Sequence, residues 1–223
     1  MAEDREISID TGEAGRVSAL LRRPDNPTAL LVLAHGAGAG MRHPFMQAIA
    51  SRLAGHGVAT LRYQFPYMEA GKRRPDRPAV ALPTVRAAVS AARDLAPELP
   101  LFAGGKSFGG RMTSQAEAAA PMDHVQGLVF LGFPLHPPGR PGTDRAVHLS
   151  EITVPMLFLQ GTRDSLADLS LLRPVLQRLG ERARLHVVDG GDHSFHVLKR
   201  SGRTDAEAME ELAGAIGAFV AEP

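Results

Sequence analysis

Leu101-Phe102-Ala103-Gly104-Gly105-Lys106-Ser107-Phe108-Gly109-Gly110-Arg111 is the stretch that decides how this chain reads. The apolar run Leu101 to Ala103 leads straight into Gly105-Lys106-Ser107-Phe108-Gly109, which spells G-x-S-x-G, and Arg111 to Ala120 continues at helical composition. A strand, a tight turn and a helix with serine at the apex describe a nucleophile elbow. Its glycines let the backbone turn sharply and leave room beside Oγ for a base and a carbonyl carbon. The helix that starts at the turn points its N-terminus at a developing oxyanion, so dipole and free N–H groups act together. The same residues imitate the end of a phosphate-binding loop, G-x-x-x-x-G-K-[ST]. That loop needs a glycine five residues before Gly105, where Pro100 stands, so the phosphate cradle does not form. The plainer reading, a glycine-rich strand-to-helix turn with a capping serine, is weighed by whether Ser107 has partners.

A serine hydroxyl is a weak nucleophile and needs a base that a third group holds in place. Val154 to Gln160 is apolar and of strand length, and it ends in Gly161-Thr162-Arg163-Asp164. Leu185 to Val188 reads as another strand and ends in Asp189-Gly190-Gly191-Asp192-His193-Ser194-Phe195. Ser107, Asp164 and His193 thus follow three strands, on the edge where open parallel sheets build their sites. Asp168 and Asp189 are fallback acids; Asp192, the chain neighbour of His193, is poorly placed to meet its ring end-on. His186 and His196 compete with His193, but neither sits in the glycine-rich loop after the strand. His193 and His196 also spell H-x-x-H, yet no third ligand with suitable spacing accompanies them, so no metal is expected.

A tetrahedral oxyanion needs two fixed N–H donors. One is expected from Phe108, directly after the serine, and the other from the loop after an earlier strand. The most apolar strand, Ala29 to Ala34, runs into His35-Gly36-Ala37-Gly38-Ala39-Gly40, which offers Ala37 or Gly38. A dinucleotide fingerprint fails there: the third glycine position holds Met41 counted from Gly36 and His43 counted from Gly38, and Val58 to Tyr63 carries no acid. Met41, Met46, Phe65, Tyr67, Met68, Phe133, Leu135 and Phe195 are candidate apolar pocket residues, with Gly38, His43, Arg62 and His136 as polar contacts. Among these, Gly38, His43, Phe133 and His136 are taken forward as substrate-binding candidates.

Strand-like segments alternate with helical ones. Ile7 to Asp10 and Val17 to Arg22 suggest a hairpin about Thr11-Gly12; Val58 to Tyr63 and Val125 to Leu131 add strands. Helices are expected over Pro44 to Ala54, Pro83 to Leu95, Phe108 to Ala119, Asp168 to Leu179 and Ala206 to Val220, with Pro83 in a first turn. That alternation predicts an α/β fold: a mainly parallel sheet of about eight strands with helices on both faces. Leu135 to Ser150, rich in proline and glycine, is expected to be a loop too short for a cap domain. At 223 residues the chain suits one domain, 1–223, with a large core. A net charge of +1 points to no nucleic-acid or membrane partner. The basic run Lys72, Arg73, Arg74 and Arg77 reads as a solvated loop. The absence of cysteine excludes disulfides, and with a charged start, Met1 to Arg5, that shows no apolar leader, it suggests the cytoplasm. Nothing in the sequence specifies an oligomeric state.

In order along the chain, His35-Gly36-Ala37-Gly38, Gly105-Lys106-Ser107-Phe108-Gly109, Gly161-Thr162-Arg163-Asp164 and Gly191-Asp192-His193-Ser194-Phe195 resemble the α/β-hydrolase superfamily. Arg62 to Tyr67, Gly132-Phe133-Pro134-Leu135 and Leu159-Gln160-Gly161 are similar to its small dienelactone-hydrolase-like members. Dienelactone hydrolases proper use a cysteine nucleophile, which this chain lacks. The resemblance therefore implies an α/β-hydrolase fold with little or no cap, and a serine hydrolase without cofactor acting on a small-molecule acyl substrate. It also admits a non-catalytic interaction module, since the same branch resembles a scaffold subunit of a histone-acetyltransferase complex, and fold does not fix function.

Overall fold

The computed structural model describes residues 3–223; the N-terminal stretch read above falls in part on Met1 and Ala2, which lie outside them. In chain order the elements are β1 (Asp4–Asp10), β2 (Arg16–Arg22), β3 (Ala29–Ala34), α1 (Pro44–Gly55), β4 (Val58–Tyr63), α2 (Pro66–Glu69), α3 (Pro78–Leu95), β5 (Leu101–Lys106), α4 (Phe108–Ala119), β6 (Val125–Leu131), β7 (Met156–Gly161), α5 (Leu169–Leu179), β8 (Ala183–Val188) and α6 (Asp205–Ala221). One eight-stranded sheet runs β1-β2-β4-β3-β5-β6-β7-β8. The six strands from β4 to β8 pair in parallel, while β1 and β2 form an antiparallel hairpin docked on β4.

The central strands β3, β5 and β7 are buried throughout because both faces of the sheet are covered there, whereas the edge strands β1 and β8 keep exposed residues. In β3 alternate residues split between two cores: Leu30, Val32 and Ala34 face a layer with α3, α4 and α5, whereas Ala29, Leu31 and Leu33 face α1 and α6. That period of two sends each residue to the opposite side of its neighbour. From β3 the chain crosses to β4 on one side, and it later returns to β5 on the other. The C-terminal ends of β3 and β5 therefore flank the point where strand order reverses, the place where open α/β sheets leave a crevice. Ala34 pairs with Gly105 there, which sets the loop after β3 against the elbow.

The structure corrects several boundaries. α3 begins at Pro78, not Pro83, and Pro83 lies inside it. Burial of Ala81, Val85, Ala88, Val89 and Ala92 along one face outweighs the single hydrogen bond that an interior proline removes. The Leu135 to Ser150 segment is half ordered as 3-10 turns over Asp144–Glu151; Ala146 and Leu149 are buried, and His148 Nε2 lies 2.7 Å from Ser114 Oγ on α4. Among the described residues no cap domain is inserted. β5 runs through Gly104 and Gly105 to Lys106, past the Ala103 limit expected from the apolar run. α6 opens on a capping box between Thr204 and Glu207.

Candidate active site

The serine turn is built by close approach. Ser107 itself takes φ 50 and ψ −113, a strained combination for a residue with a Cβ. The flanking glycines do not carry the positive φ, contrary to the expectation that they supply the turn. They are required by space: a Cβ on Gly105 would lie 2.5 Å from Ala34 O, and one on Gly109 would lie 2.6 Å from both Ala34 O and His35 O. Gly109→Ala is therefore expected to cost about 3 kcal/mol or more, since β3 backbone must move to admit the methyl. Gly142→Ala, with nothing within 4 Å, is the neutral control. Chemical denaturation measures both, and equal midpoints would contradict the packing argument.

The loop after β8 brings His193 to the elbow. Ser107 Oγ–H donates to His193 Nε2 at 2.8 Å, and His193 Nδ1–H donates to Asp164 Oδ2 at 2.7 Å. The Asp164 side chain is fully buried, whereas His193 retains 24% exposure. Leu166 N donates to Asp164 Oδ1 at 2.8 Å, and Gln160 Nε2 donates to Oδ2. Gln160, fully buried on β7, is a supporting group to which the sequence reading gave no role, although Leu159-Gln160-Gly161 is one of the stretches that carry the resemblance. Asp192 Oδ1 accepts from Ser194 N at 2.8 Å and His196 N at 2.9 Å, which shapes the His193 loop.

The fallback acids serve elsewhere: Asp168 caps α5, and Asp189 meets Thr162. His196 pairs with Asp205 and His186 with Glu211. Among the described residues no group of three His, Cys, Asp or Glu is placed to hold a metal. Ser114 and His148 form a second serine–histidine contact, but Ser114 is fully buried and its hydroxyl also meets Arg111 O at 2.9 Å. No carboxylate holds His148 among the described hydrogen bonds and ion pairs. Burial, with Arg111 adding repulsion, pushes its imidazole down to about 4.

A cavity of about 420 Å³ opens on Ser107 and His193, lined by Ala37, His43, Phe45, Met46, Lys106 and Leu166 among others. Ala37 is exposed in it, and a Cβ on neighbouring Gly36 would lie 3.9 Å from Ser107 Cβ. Phe108 opens α4, whose first N–H groups have no partner within the helix. The Gly38 amide is committed to Tyr67 Oη at 2.8 Å. His43 lines the cavity and caps α1 by accepting from Phe45 N at 3.2 Å.

Two of the substrate-binding candidates lie away from the cavity lining. Phe133 is fully buried among Phe130 and Phe158, at 5.5 and 5.7 Å between centroids. His136 is buried and holds Pro137 O and Asp168 N. Both follow a strand end, but their side chains turn into the core. Arg62 is likewise a buried ion-pair partner of Asp4 at 2.6 Å. Phe45 and Leu166 line the cavity in their place.

His35 underpins the loop after β3. Its Nδ1–H donates to Gly36 O at 2.8 Å, and Nε2 accepts from Phe65 N at 3.1 Å. Burial, the largest cause, holds this imidazole down to about 4 from an ordinary 6.5. Below about 6.5 the unfolded chain takes up a proton that the folded chain refuses, so stability present above that pH is lost as pH falls toward 4. His148 acts in the same direction. Melting temperature is expected to drop across this window in the parent protein. His35→Gln, which cannot titrate, should lose stability at pH 7 yet show a shallower slope; parallel slopes would contradict the assignment.

The sequence matches the family described as Alpha/beta hydrolase domain over residues 27–221. In structure it is similar to a serine hydrolase without lid from Xanthomonas campestris, at 19% identity and TM-score 0.76, covering 97% of this chain and 95% of that one. It is also similar to a dienelactone hydrolase from Anabaena variabilis, at 20% identity and TM-score 0.76, covering 97% and 96%. A third likeness is to Est1E from Butyrivibrio proteoclasticus, solved with ferulic acid bound, at 19% identity and TM-score 0.71, covering 94% and 98%. With a lidless eight-stranded sheet and a match over most of its length, the chain belongs to the alpha/beta hydrolase domain family.

Proposed function

We propose that the protein is a serine hydrolase that cleaves an ester, thioester or activated amide of a small molecule through an acyl-enzyme on Ser107. The observation that carries this is the unbroken run of hydrogen bonds from Ser107 Oγ through the His193 ring to buried Asp164, at 2.8 and 2.7 Å, facing an open cavity. His193 takes the proton as Oγ attacks the carbonyl carbon, then delivers it to the leaving group as the tetrahedral intermediate collapses. Asp164 keeps the ring in the Nδ1–H tautomer and stabilises the imidazolium. The Phe108 and Ala37 amides hold the oxyanion. Water, activated by His193 in turn, attacks the acyl carbon and restores the serine. Every step is assigned to groups of this chain, without a cofactor.

Phe45, Met46 and Leu166 give the cavity apolar walls suited to an acyl or aromatic substituent, and His43 stands at its mouth. The esterase and dienelactone hydrolase neighbours support hydrolysis of small acyl substrates. An interaction module would call for a broad apolar surface, and among the described residues Val147 is the one exposed large hydrophobic side chain. Among the described residues no helix is long and apolar enough to cross a membrane.

Labelling with a fluorophosphonate probe, followed by peptide mapping, tests the proposal. A single adduct on Ser107 is expected. Folded protein that takes no adduct would overturn it.

A further inference from the structure

Lys106 is the residue between Gly105 and the candidate nucleophile, and its side chain is buried. Burying an ammonium is expensive unless it is paired, yet among the described residues Lys106 forms no ion pair. Its Nζ instead donates to the backbone carbonyl of His193 at 2.5 Å. The ammonium also lies 5.8 Å from the Phe45 ring centroid and 5.6 Å from that of Phe195, two rings stacked on each other at 6.0 Å. Cation–π attraction of this kind strengthens when water is excluded. A Cβ on Gly132 would lie 3.0 Å from Lys106 Nζ and 3.4 Å from His193 Nδ1. The ammonium and the imidazole therefore border one small space, which only a glycine leaves free.

We propose that Lys106 is a positioning residue for His193: its ammonium ties the β8–α6 loop, through the His193 carbonyl, to the end of β5, one residue before Ser107. It fixes the register between base and nucleophile from the backbone side, while Asp164 fixes the ring. The inference rests on the hydrolase reading above for its catalytic consequence, but the tie itself does not.

The charged groups acting on Lys106 are Asp164 beyond β7 and Asp192 on the loop after β8; His193 borders the same space, and His43 ahead of α1 lines the same cavity. Burial pushes the ammonium down to about 8, with the Asp164 and Asp192 carboxylates pulling the other way. The tie is thus charged and strongest below that pH, and it weakens as the ammonium is lost above it.

The test compares the parent protein with Lys106→Met, which keeps length and apolar contact but removes charge and donor, and with Lys106→Arg. In Lys106→Met, kcat for a chromogenic acyl ester should fall roughly ten- to a hundredfold with KM little changed, as expected for a displaced base. Lys106→Arg, which keeps charge and donor, should restore kcat. A Lys106→Met enzyme with parental kcat would overturn the proposal. A second readout needs no variant and no turnover: the carbonyl ¹³C signal of His193 in the parent protein should inflect near pH 8 as the ammonium titrates. A signal that stays flat across the whole range in which a lysine titrates would overturn the tie even if Lys106→Met fails to fold. Labelling at Ser107 with a flat carbonyl signal sinks this inference alone; an inflecting signal without labelling sinks the hydrolase reading and leaves the tie standing.

Discussion

Ser107→Ala is expected to fold with an unchanged melting temperature and to lose turnover by on the order of 10⁴- to 10⁶-fold, the scale seen when a nucleophile is removed from a triad that works as a unit. The effect is large because no other group can take over the covalent step: the hydroxyl meets His193 Nε2 at the cavity floor. Stability should hardly change, since alanine removes one half-buried hydrogen bond and keeps the Cβ that already sits at φ 50. Ser114→Ala is the informative control. It deletes the other serine–histidine contact, at 2.7 Å to His148, and should leave turnover within a few-fold while loosening the Asp144–Glu151 segment. Steady-state hydrolysis of an acyl ester by both variants decides the matter. Residual activity in Ser107→Ala near the parental rate would remove Ser107 from the mechanism, and loss of activity in Ser114→Ala alone would move the nucleophile there.

Asp164→Asn should preserve the fold and lower kcat by roughly 10⁴-fold, because the histidine is left in the wrong tautomer. The surroundings of Asp164 make that outcome specific. Its carboxylate accepts from Leu166 N on one oxygen and from Gln160 Nε2 and His193 Nδ1 on the other. An asparagine can keep the Leu166 bond only by turning its NH₂ toward Gln160 and His193. Gln160 can accommodate this by flipping, since its Oε1 has no partner at present. His193 can accommodate it only by moving its proton to Nε2, where it points at Ser107 and can no longer accept. The loss in kcat should therefore appear without much change in melting temperature. A loss below about tenfold would mean that Asp164 does not orient the base.

The sequence by itself determined the alternation of strands and helices, the serine elbow and the loop positions of Asp164 and His193. Each of these is written in local pattern: an apolar run of strand length, a glycine-rich turn, a polar residue just past a strand end. β3, β4, β6 and α4 match the expected limits. Tertiary structure alone decided which side chains meet. Phe133 and His136 follow a strand end as Asp164 does, but both are buried away from the cavity. Pro83 reads locally as a helix start, yet packing of Ala81 to Ala92 carries α3 through it. The glycines of the elbow read locally as freedom to turn, whereas their necessity comes from β3 carbonyls only 2.5 to 2.6 Å from where a Cβ would stand. Lys106 illustrates the limit most sharply: in sequence it is an unassigned residue beside the serine, and only the return of a loop 87 positions away gives its ammonium a partner. Local pattern fixes what each segment prefers; contacts between distant segments depend on how the layers close, and there the chemistry of the site is set.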